Sequence, residues 1–82
     1  MIDKDILIEI EKLGKEFAPL VENTADGGTT MIFELGCREL TFILSQDSSY
    51  CLYVIEDKEG YSTGEVSNSS KVIELSNWLK GK

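Results

Sequence analysis

The polar side chains of this sequence offer few groups that an enzyme could use. Its 82 residues include fifteen carboxylates but no histidine, and Arg38 is the single arginine. Histidine is the side chain that most often transfers protons or binds zinc near neutral pH, so its absence removes the commonest catalytic and zinc-binding arrangements. Catalysis would have to use carboxylates, tyrosines, lysines or a thiol. The composition therefore predicts a protein that is not an enzyme and that needs no cofactor or metal.

Glu34 and Glu39 come closest to an acid–base pair, because the strand pattern described below places both on one face of a sheet. Exposed glutamates on a strand usually titrate as they do in water. Nothing in the sequence predicts the raised pKa that a general acid requires. We therefore expect these two carboxylates to belong to a surface rather than to a catalytic site.

Cys37 and Cys51 are the two cysteines, and we expect both to be free thiols. The strand pattern places them at opposite ends of a strand, roughly 20 Å apart at ~3.3 Å per residue. A disulfide needs Cα atoms about 4.4–6.8 Å apart, so these two cannot pair. Free thiols indicate a reducing compartment, which predicts a cytoplasmic protein.

A turn-rich segment over residues 22–29 contains Asp26-Gly27-Gly28 and could suggest a phosphate or calcium site. A P-loop needs Gly-Lys-Ser/Thr after its spacer, and an EF-hand needs regularly spaced carboxylates with a later glutamate. Neither pattern is present. We therefore interpret the segment as a connecting loop.

Two amphipathic helices are predicted, one at each end of the chain. Asp3 is a good N-cap for the first, which should end near Ala18 because Pro19 disfavours helical geometry in the residue before it. The second helix has three alternative N-caps over residues 68–70 and ends at Gly81. The apolar stripes that indicate these helices are Ile6, Ile10, Leu13 and Phe17 in the first and Val72, Leu75 and Leu79 in the second.

The central part of the chain alternates apolar and polar residues, as strands do. Four strands are predicted: one from Thr29 to the turn at Gly36-Cys37, one from there to Leu44, one over Tyr50–Glu56 and one over Tyr61–Ser67. Two questions stay open at this point. Leu20–Asn23 could form a short extra strand, and the strand over Tyr50–Glu56 is apolar on both sides, so its buried face is undetermined.

The order of these elements predicts the fold. A helix, a meander of four antiparallel strands and a second helix form an α+β two-layer sandwich when both helices cover one face of the sheet. A two-residue turn at Gly36-Cys37 pairs Phe33 with Leu40 and Met31 with Phe42, which gives that face its apolar residues. We expect residues 1–82 to form one domain.

The formal net charge of −7 limits the classes of binding partner. A negative field repels nucleic-acid phosphates and anionic membrane headgroups, and it attracts basic surfaces. The sequence contains no apolar run near the roughly 20 residues that a membrane helix needs, and it does not start like a signal peptide. We therefore expect no direct nucleic-acid or membrane binding and a protein partner with a basic surface.

The sheet face away from the helices is the strongest candidate for a binding surface, because it mixes apolar and acidic residues. The residues predicted to bind a partner are Ile32, Glu34, Glu39, Thr41, Ile43, Tyr53, Glu56, Asp57 and Glu59. The function we expect is a small acidic protein-binding module, such as an inhibitor, immunity or anti-defence protein acting on a nucleic-acid-handling protein. The alternatives are a homodimeric accessory subunit that pairs through this face, and a partly solvated face of the kind common in monomers.

Overall fold

The computed structural model describes residues 2–47 and 49–81. It confirms an α+β fold in which the strands of one antiparallel sheet follow an N-terminal helix in the sequence and precede a C-terminal helix. The sheet, however, has five strands rather than the predicted four. The elements are α1 (Lys4–Phe17), β1 (Leu20–Asn23), β2 (Thr29–Leu35), β3 (Arg38–Leu44), β4 (Cys51–Asp57), β5 (Gly60–Glu65) and α2 (Ser69–Lys80).

Helix α1 begins and ends where the sequence predicts. The Asp3 carboxylate caps the N-terminus by accepting the backbone N–H of Asp5 at 3.1 Å. Ala18 adopts a left-handed conformation and donates its N–H to the Gly14 carbonyl, which closes the C-terminal end before Pro19. Local side-chain and backbone geometry therefore fixes both ends of this helix.

Helix α2 selects one of its three candidate N-caps. The Asn68 side chain accepts the N–H of Lys71 at 3.0 Å, so the helix starts at Ser69. Gly81 ends the helix and donates its N–H back to the Trp78 carbonyl. The last turn is also fixed from the side, because the Arg38 guanidinium donates a hydrogen bond to the same Trp78 carbonyl.

The sheet has the strand order β1-β2-β3-β4-β5, and every neighbouring pair is antiparallel. The extra strand β1 forms because residues 24–28 close a hydrogen-bonded hairpin: Thr24 donates its N–H to the Gly28 carbonyl, and Gly28 donates to the Asp26 carboxylate. All four residues of β1 are exposed, so backbone pairing rather than burial holds it in place. An exposed strand leaves little apolar alternation in the sequence, which is why its prediction stayed open.

The predicted register of the β2–β3 hairpin is confirmed. Phe33 pairs with Leu40, and Met31 pairs with Phe42. Gly36 has a positive φ of 63° and is the first residue of the two-residue turn, where a type II′ turn prefers glycine. Because side chains alternate between faces, this register decides the face of every residue in the sheet.

The core lies between one face of the sheet and the two helices. Phe33, Leu40 and Phe42 are fully buried, and the two phenylalanine rings meet edge to face with centroids 6.0 Å apart. The helices contribute the apolar stripes that the sequence predicts. The buried core consists of Ile6, Ile10, Leu13, Phe33, Leu40, Phe42, Cys51, Val66, Val72, Leu75 and Leu79.

Strand β4 places Cys51, Tyr53 and Ile55 towards the helices, which corrects the prediction that Tyr53 lies on the other face. Cys51 is buried in the core, and Tyr53 and Ile55 pack against it. Tyr53 fits there because its cross-strand neighbour is Gly64, whose missing side chain leaves room for the ring. The apolar pattern of β4 on both sides gave no periodicity from which this orientation could be predicted.

None of the helices in the described ranges has both the length and the apolar character needed to cross a membrane.

Candidate functional site

The sheet face turned away from the helices is bare, and we call it the open face. It is formed by every second residue of each strand, as the cross-strand register requires. Its members are Leu20, Glu22, Thr30, Ile32, Glu34, Glu39, Thr41, Ile43, Leu52, Val54, Glu56, Tyr61, Thr63 and Glu65. Because no helix of the described chain covers these side chains, this face is available to another molecule.

Three glutamates form a row across the open face, and we call it the acidic row. Glu34 pairs with Glu39 and Glu39 pairs with Glu56, so the three lie on adjacent strands about 4.8 Å apart. Tyr61 continues the row on β5. Like charges placed directly opposite each other on neighbouring strands destabilise the sheet, so this arrangement is unfavourable for the isolated protein.

Glu39 is the middle member of the acidic row, and its environment disfavours its charge. Partial desolvation raises the pKa of its carboxyl group, and the charges of Glu34 and Glu56 raise it further. The sequence had predicted no raised pKa here, because the pairing of Glu39 with Glu56 depends on the β3–β4 register across a loop. The prediction of ordinary titration is therefore wrong for this residue.

The acidic row has no cation of its own on the open face. None of the residues of that face is a lysine or an arginine. The ion pairs between described residues join Lys12 to Glu9, Lys71 to Glu74 and Lys80 to Glu16, and all of them lie on the helices. Five glutamates therefore face solvent with no neutralising side chain on that face: Glu22, Glu34, Glu39, Glu56 and Glu65.

Apolar residues fill the centre of the open face. Ile32, Thr41 and Val54 form one cross-strand row, and Ile43 pairs with Leu52 in the next. Most of these side chains are half-buried by their neighbours on the sheet, and Leu52 is exposed. The face therefore has an apolar centre, an acidic row at one end, and Glu22 and Glu65 at its outer corners.

Six of the nine predicted binding residues meet on the open face. They are Ile32, Glu34, Glu39, Thr41, Ile43 and Glu56. Tyr53 does not join them, because it lies on the helix-covered face, where the Lys71 ammonium is 5.1 Å from its ring centroid. Asp57 ends β4 and accepts the N–H of Glu59 at 2.9 Å, so both acids lie in the hairpin beyond the acidic row.

The sequence interpretation included Glu56 of β4 but missed the other residues that β4 and β5 contribute to the open face. Leu52 and Val54 were not assigned to a face, and Tyr61, which is 75% exposed, was not considered as a binding residue. The position of Tyr61 could have been predicted from the hairpin Asp57-Lys58-Glu59-Gly60. If Lys58 and Glu59 form a two-residue turn, Asp57 pairs with Gly60 and Glu56 with Tyr61, which places Glu56 and Tyr61 on the same face.

The remaining residues that the sequence singles out lie outside the open face. Cys37 is exposed in the β2–β3 turn and Cys51 is buried, and both thiols are free. The guanidinium of Arg38, the single arginine, lies 5.2 Å from the centre of the Trp78 ring. The Asp26 side chain accepts hydrogen bonds from Thr24 and Gly28, which lowers its pKa and ties the β1–β2 hairpin together.

The open face combines apolar side chains with acidic groups around them. Apolar side chains at the centre and charged groups around them are the composition of a protein interface. Within residues 2–47 and 49–81, no three carboxylates or thiols converge as the ligands of a metal ion would.

Comparison of the chain with protein-family models, with curated proteins and with solved structures found no match.

Proposed function

We propose that this chain is a non-enzymatic binding module and that its open face is the docking surface for a basic partner protein. The observation that carries the proposal is the charge of that face: five glutamates and no lysine or arginine around an apolar centre. A basic partner would supply the cations that the acidic row lacks. Binding would then relieve the repulsion between Glu34, Glu39 and Glu56.

Apolar contact and charge would make different contributions to this interaction. Burial of Ile32, Ile43, Leu52 and Val54 would supply affinity, because it removes apolar surface from water. The glutamates and the net charge of −7 would raise the rate of encounter and select against acidic partners. The same charge repels nucleic acid and anionic membranes, so the partner is a protein.

A nucleic-acid-handling protein is the partner class that this charge fits best, because such proteins carry basic surfaces that contact phosphates. The chain would then act as an inhibitor, immunity or anti-defence protein that occupies such a surface. We place this activity in the cytoplasm, since both cysteines are free thiols and a reducing compartment keeps thiols free.

The proposal can be tested before a natural partner is known. The probe is a helical peptide with a leucine stripe flanked by lysines, titrated into ¹⁵N-labelled protein and followed by NMR. We expect the largest shift changes at Ile32, Ile43 and Leu52, and weaker binding as salt rises. A peptide with glutamate in place of each lysine should not bind.

The variant that tests the acidic row carries Glu34→Gln, Glu39→Gln and Glu56→Gln together. We expect it to bind the lysine peptide about tenfold more weakly or worse. Its matched control carries Asp5→Asn, Glu11→Gln and Glu74→Gln, which remove the same net charge from the helices and should leave most of the affinity. Equal losses in both triple variants would show that only net charge matters, and would contradict docking on the open face.

A further inference from the structure

Strand β5 forms one outer edge of the sheet, and half of its backbone groups point away from the protein. The hydrogen bond that Val66 donates from its N–H to the Cys51 carbonyl, at 2.8 Å, shows which residues at this end of the strand bond to β4. Backbone groups alternate in direction along an antiparallel strand, so Ser62 and Gly64 bond to β4. The N–H and C=O groups of Tyr61, Thr63 and Glu65 therefore point outwards.

This edge lacks most of the features by which proteins usually prevent strand addition. Such features are prolines, charged side chains and above all lysines, bulges and very short edge strands, and of these β5 has one charged residue, Glu65, at its end. Strand β5 has six residues, Gly60–Glu65, with no proline, no lysine and an uninterrupted register against β4. The opposite edge is different, since β1 has only four residues and directly follows Pro19.

A cleft of about 240 Å³ lies beside β5 on the helix side of the sheet. Ile55, Gly60, Ser62 and Trp78 line it, and Asp57 and Glu59 lie at the hairpin end. The cleft lies where β5 turns small residues, Gly60 and Ser62, towards the helices, whereas the space over Gly64 is filled by the Tyr53 ring. Trp78 is fixed as one wall, because Arg38 contacts its ring and its backbone carbonyl.

We propose that β5 is a site of strand addition, at which an extended segment of the partner pairs as a sixth strand. Alternate side chains of that segment would lie over the cleft beside Trp78, where an apolar side chain fits. The others would extend the open face beside Tyr61, Thr63 and Glu65, where basic side chains fit. Main-chain hydrogen bonds supply affinity in this mode of recognition, and the pocket for alternate side chains supplies specificity.

The inference rests on the proposed function for one property of the partner, its positive charge. That charge also decides between a foreign segment and a second copy of this chain. Pairing β5 with β5 would bring together two molecules that each carry a net charge of −7. A basic segment would instead be attracted to this edge, because Glu59 and Glu65 lie at its two ends.

The direct test is amide hydrogen exchange of ¹⁵N-labelled protein with a blocked peptide of alternating valine and lysine. In the free protein the N–H groups of Tyr61, Thr63 and Glu65 should exchange quickly. With saturating peptide we expect their exchange to slow by about tenfold or more, because they become hydrogen-bonded. The fluorescence of Trp78, the single tryptophan of the chain, should change with the same midpoint.

A proline at position 63 tests the edge itself. Thr63→Pro removes an outward N–H that no neighbour in the sheet uses, so the fold should survive and the peptide affinity should fall about tenfold or more. Thr63→Val keeps the N–H and should bind as the wild type does. If Thr63→Pro does not fold, a peptide N-methylated at alternate residues makes the same test on the wild-type protein.

The possible outcomes separate this inference from the proposed function. Slowed exchange in β5, lost with Thr63→Pro or N-methylation, supports strand addition. Peptide-induced shifts at Ile32 and Ile43 without slowed exchange in β5 would overturn strand addition and leave docking on the open face intact. Absence of binding, or slowed exchange that follows protein concentration without peptide, would overturn the inference. Unaltered strand addition after the Glu34, Glu39 and Glu56 substitutions would overturn only the role of the acidic row.

Discussion

Glu39 carries a charge that the folded protein disfavours, because Glu34 and Glu56 lie on either side of it. Its pKa is raised in the folded state, so there is a range of pH in which Glu39 is protonated in the folded protein and ionised in the unfolded chain. The free energy of unfolding therefore falls as pH rises from the ordinary glutamate range through the raised pKa. We expect Glu39→Gln to be more stable than the wild type at pH 7, as measured by urea denaturation.

The pH dependence of that difference is the informative part. Below the ordinary glutamate range Glu39 is protonated in both states, so the advantage of Glu39→Gln should disappear. Glu11→Gln removes the same charge from the exposed face of α1 and is the control for net charge. A stability gain for Glu39→Gln that is equal to that of Glu11→Gln, or that is the same at every pH, would contradict the argument.

Gly64 lies under the ring of Tyr53, and a side chain at this position would collide with it. A Cβ atom placed on Gly64 would be 2.7 Å from two atoms of Tyr53. We expect Gly64→Ala to lower the free energy of unfolding by about 1–3 kcal/mol, because the ring must move from its packed position. Ser62→Ala on the same strand should change it by less than about 0.5 kcal/mol.

A double-mutant cycle identifies the cause of the Gly64 effect. In a Tyr53→Leu background the Gly64→Ala substitution should cost much less, since the shorter side chain leaves room for the methyl group. An unchanged cost in that background would show that the backbone, rather than the tyrosine, limits this position.

The two cysteines differ in burial and should differ in reactivity. Cys51 is 1% exposed, and desolvation raises its pKa to about 11. Cys37 is exposed in a turn. Because the thiolate is the reactive form, iodoacetamide at about pH 8 should label Cys37 and spare Cys51 until the protein unfolds. Mass spectrometry of the native protein checks this, and prompt labelling of both thiols would contradict it.

At the scale of elements, the sequence predicts helix ends and hairpin registers that depend on a few neighbouring residues. Asp3, Pro19 and Gly81 mark helix ends, and the strict alternation around Gly36 sets the β2–β3 register, so these predictions are confirmed. Backbone pairing holds the exposed strand β1, and the packing of Tyr53 against Gly64 orients β4. Strand β1 is exposed throughout and β4 is apolar on both sides, so neither shows the alternation that indicates which side of a strand is buried.

Strand β3 offers a direct test of the two faces through adjacent residues. Phe42 is fully buried in the core, so Phe42→Asp would place an unpaired charge there and should unfold the chain. Ile43 is half-buried on the open face, and Ile43→Asp should leave the fold intact while removing binding of the leucine–lysine peptide. Circular dichroism melting and the peptide titration measure the two effects.

Equal loss of folding in Phe42→Asp and Ile43→Asp would contradict the assignment of the faces. Ile43→Asn introduces an uncharged side chain of the same shape as aspartate, so it separates the loss of apolar contact from the effect of the added negative charge. We expect Ile43→Asn to weaken peptide binding and to preserve the melting temperature.

At the scale of the whole molecule, the two faces of the sheet are in contrasting environments. Two helices of 14 and 12 residues cover one face and bury its apolar side chains. The other face has an apolar centre, with Leu20 and Tyr61 on its edge strands and five glutamates around the centre. The core therefore supplies the stability of a small domain, whereas the acidic row on the open face opposes folding. Under the proposed function, this surface serves binding rather than stability.

The same charge arrangement predicts a monomer. Pairing two open faces would bring two acidic rows together in a low-dielectric interface, where like charges repel more strongly than in water. We expect light scattering after size-exclusion chromatography to give a mass near the 9.2 kDa of one chain at every concentration at neutral pH. The combined Glu34→Gln, Glu39→Gln and Glu56→Gln variant removes that repulsion and should self-associate at high concentration. A stable wild-type dimer at neutral pH would contradict the proposed function and favour a homodimeric accessory subunit.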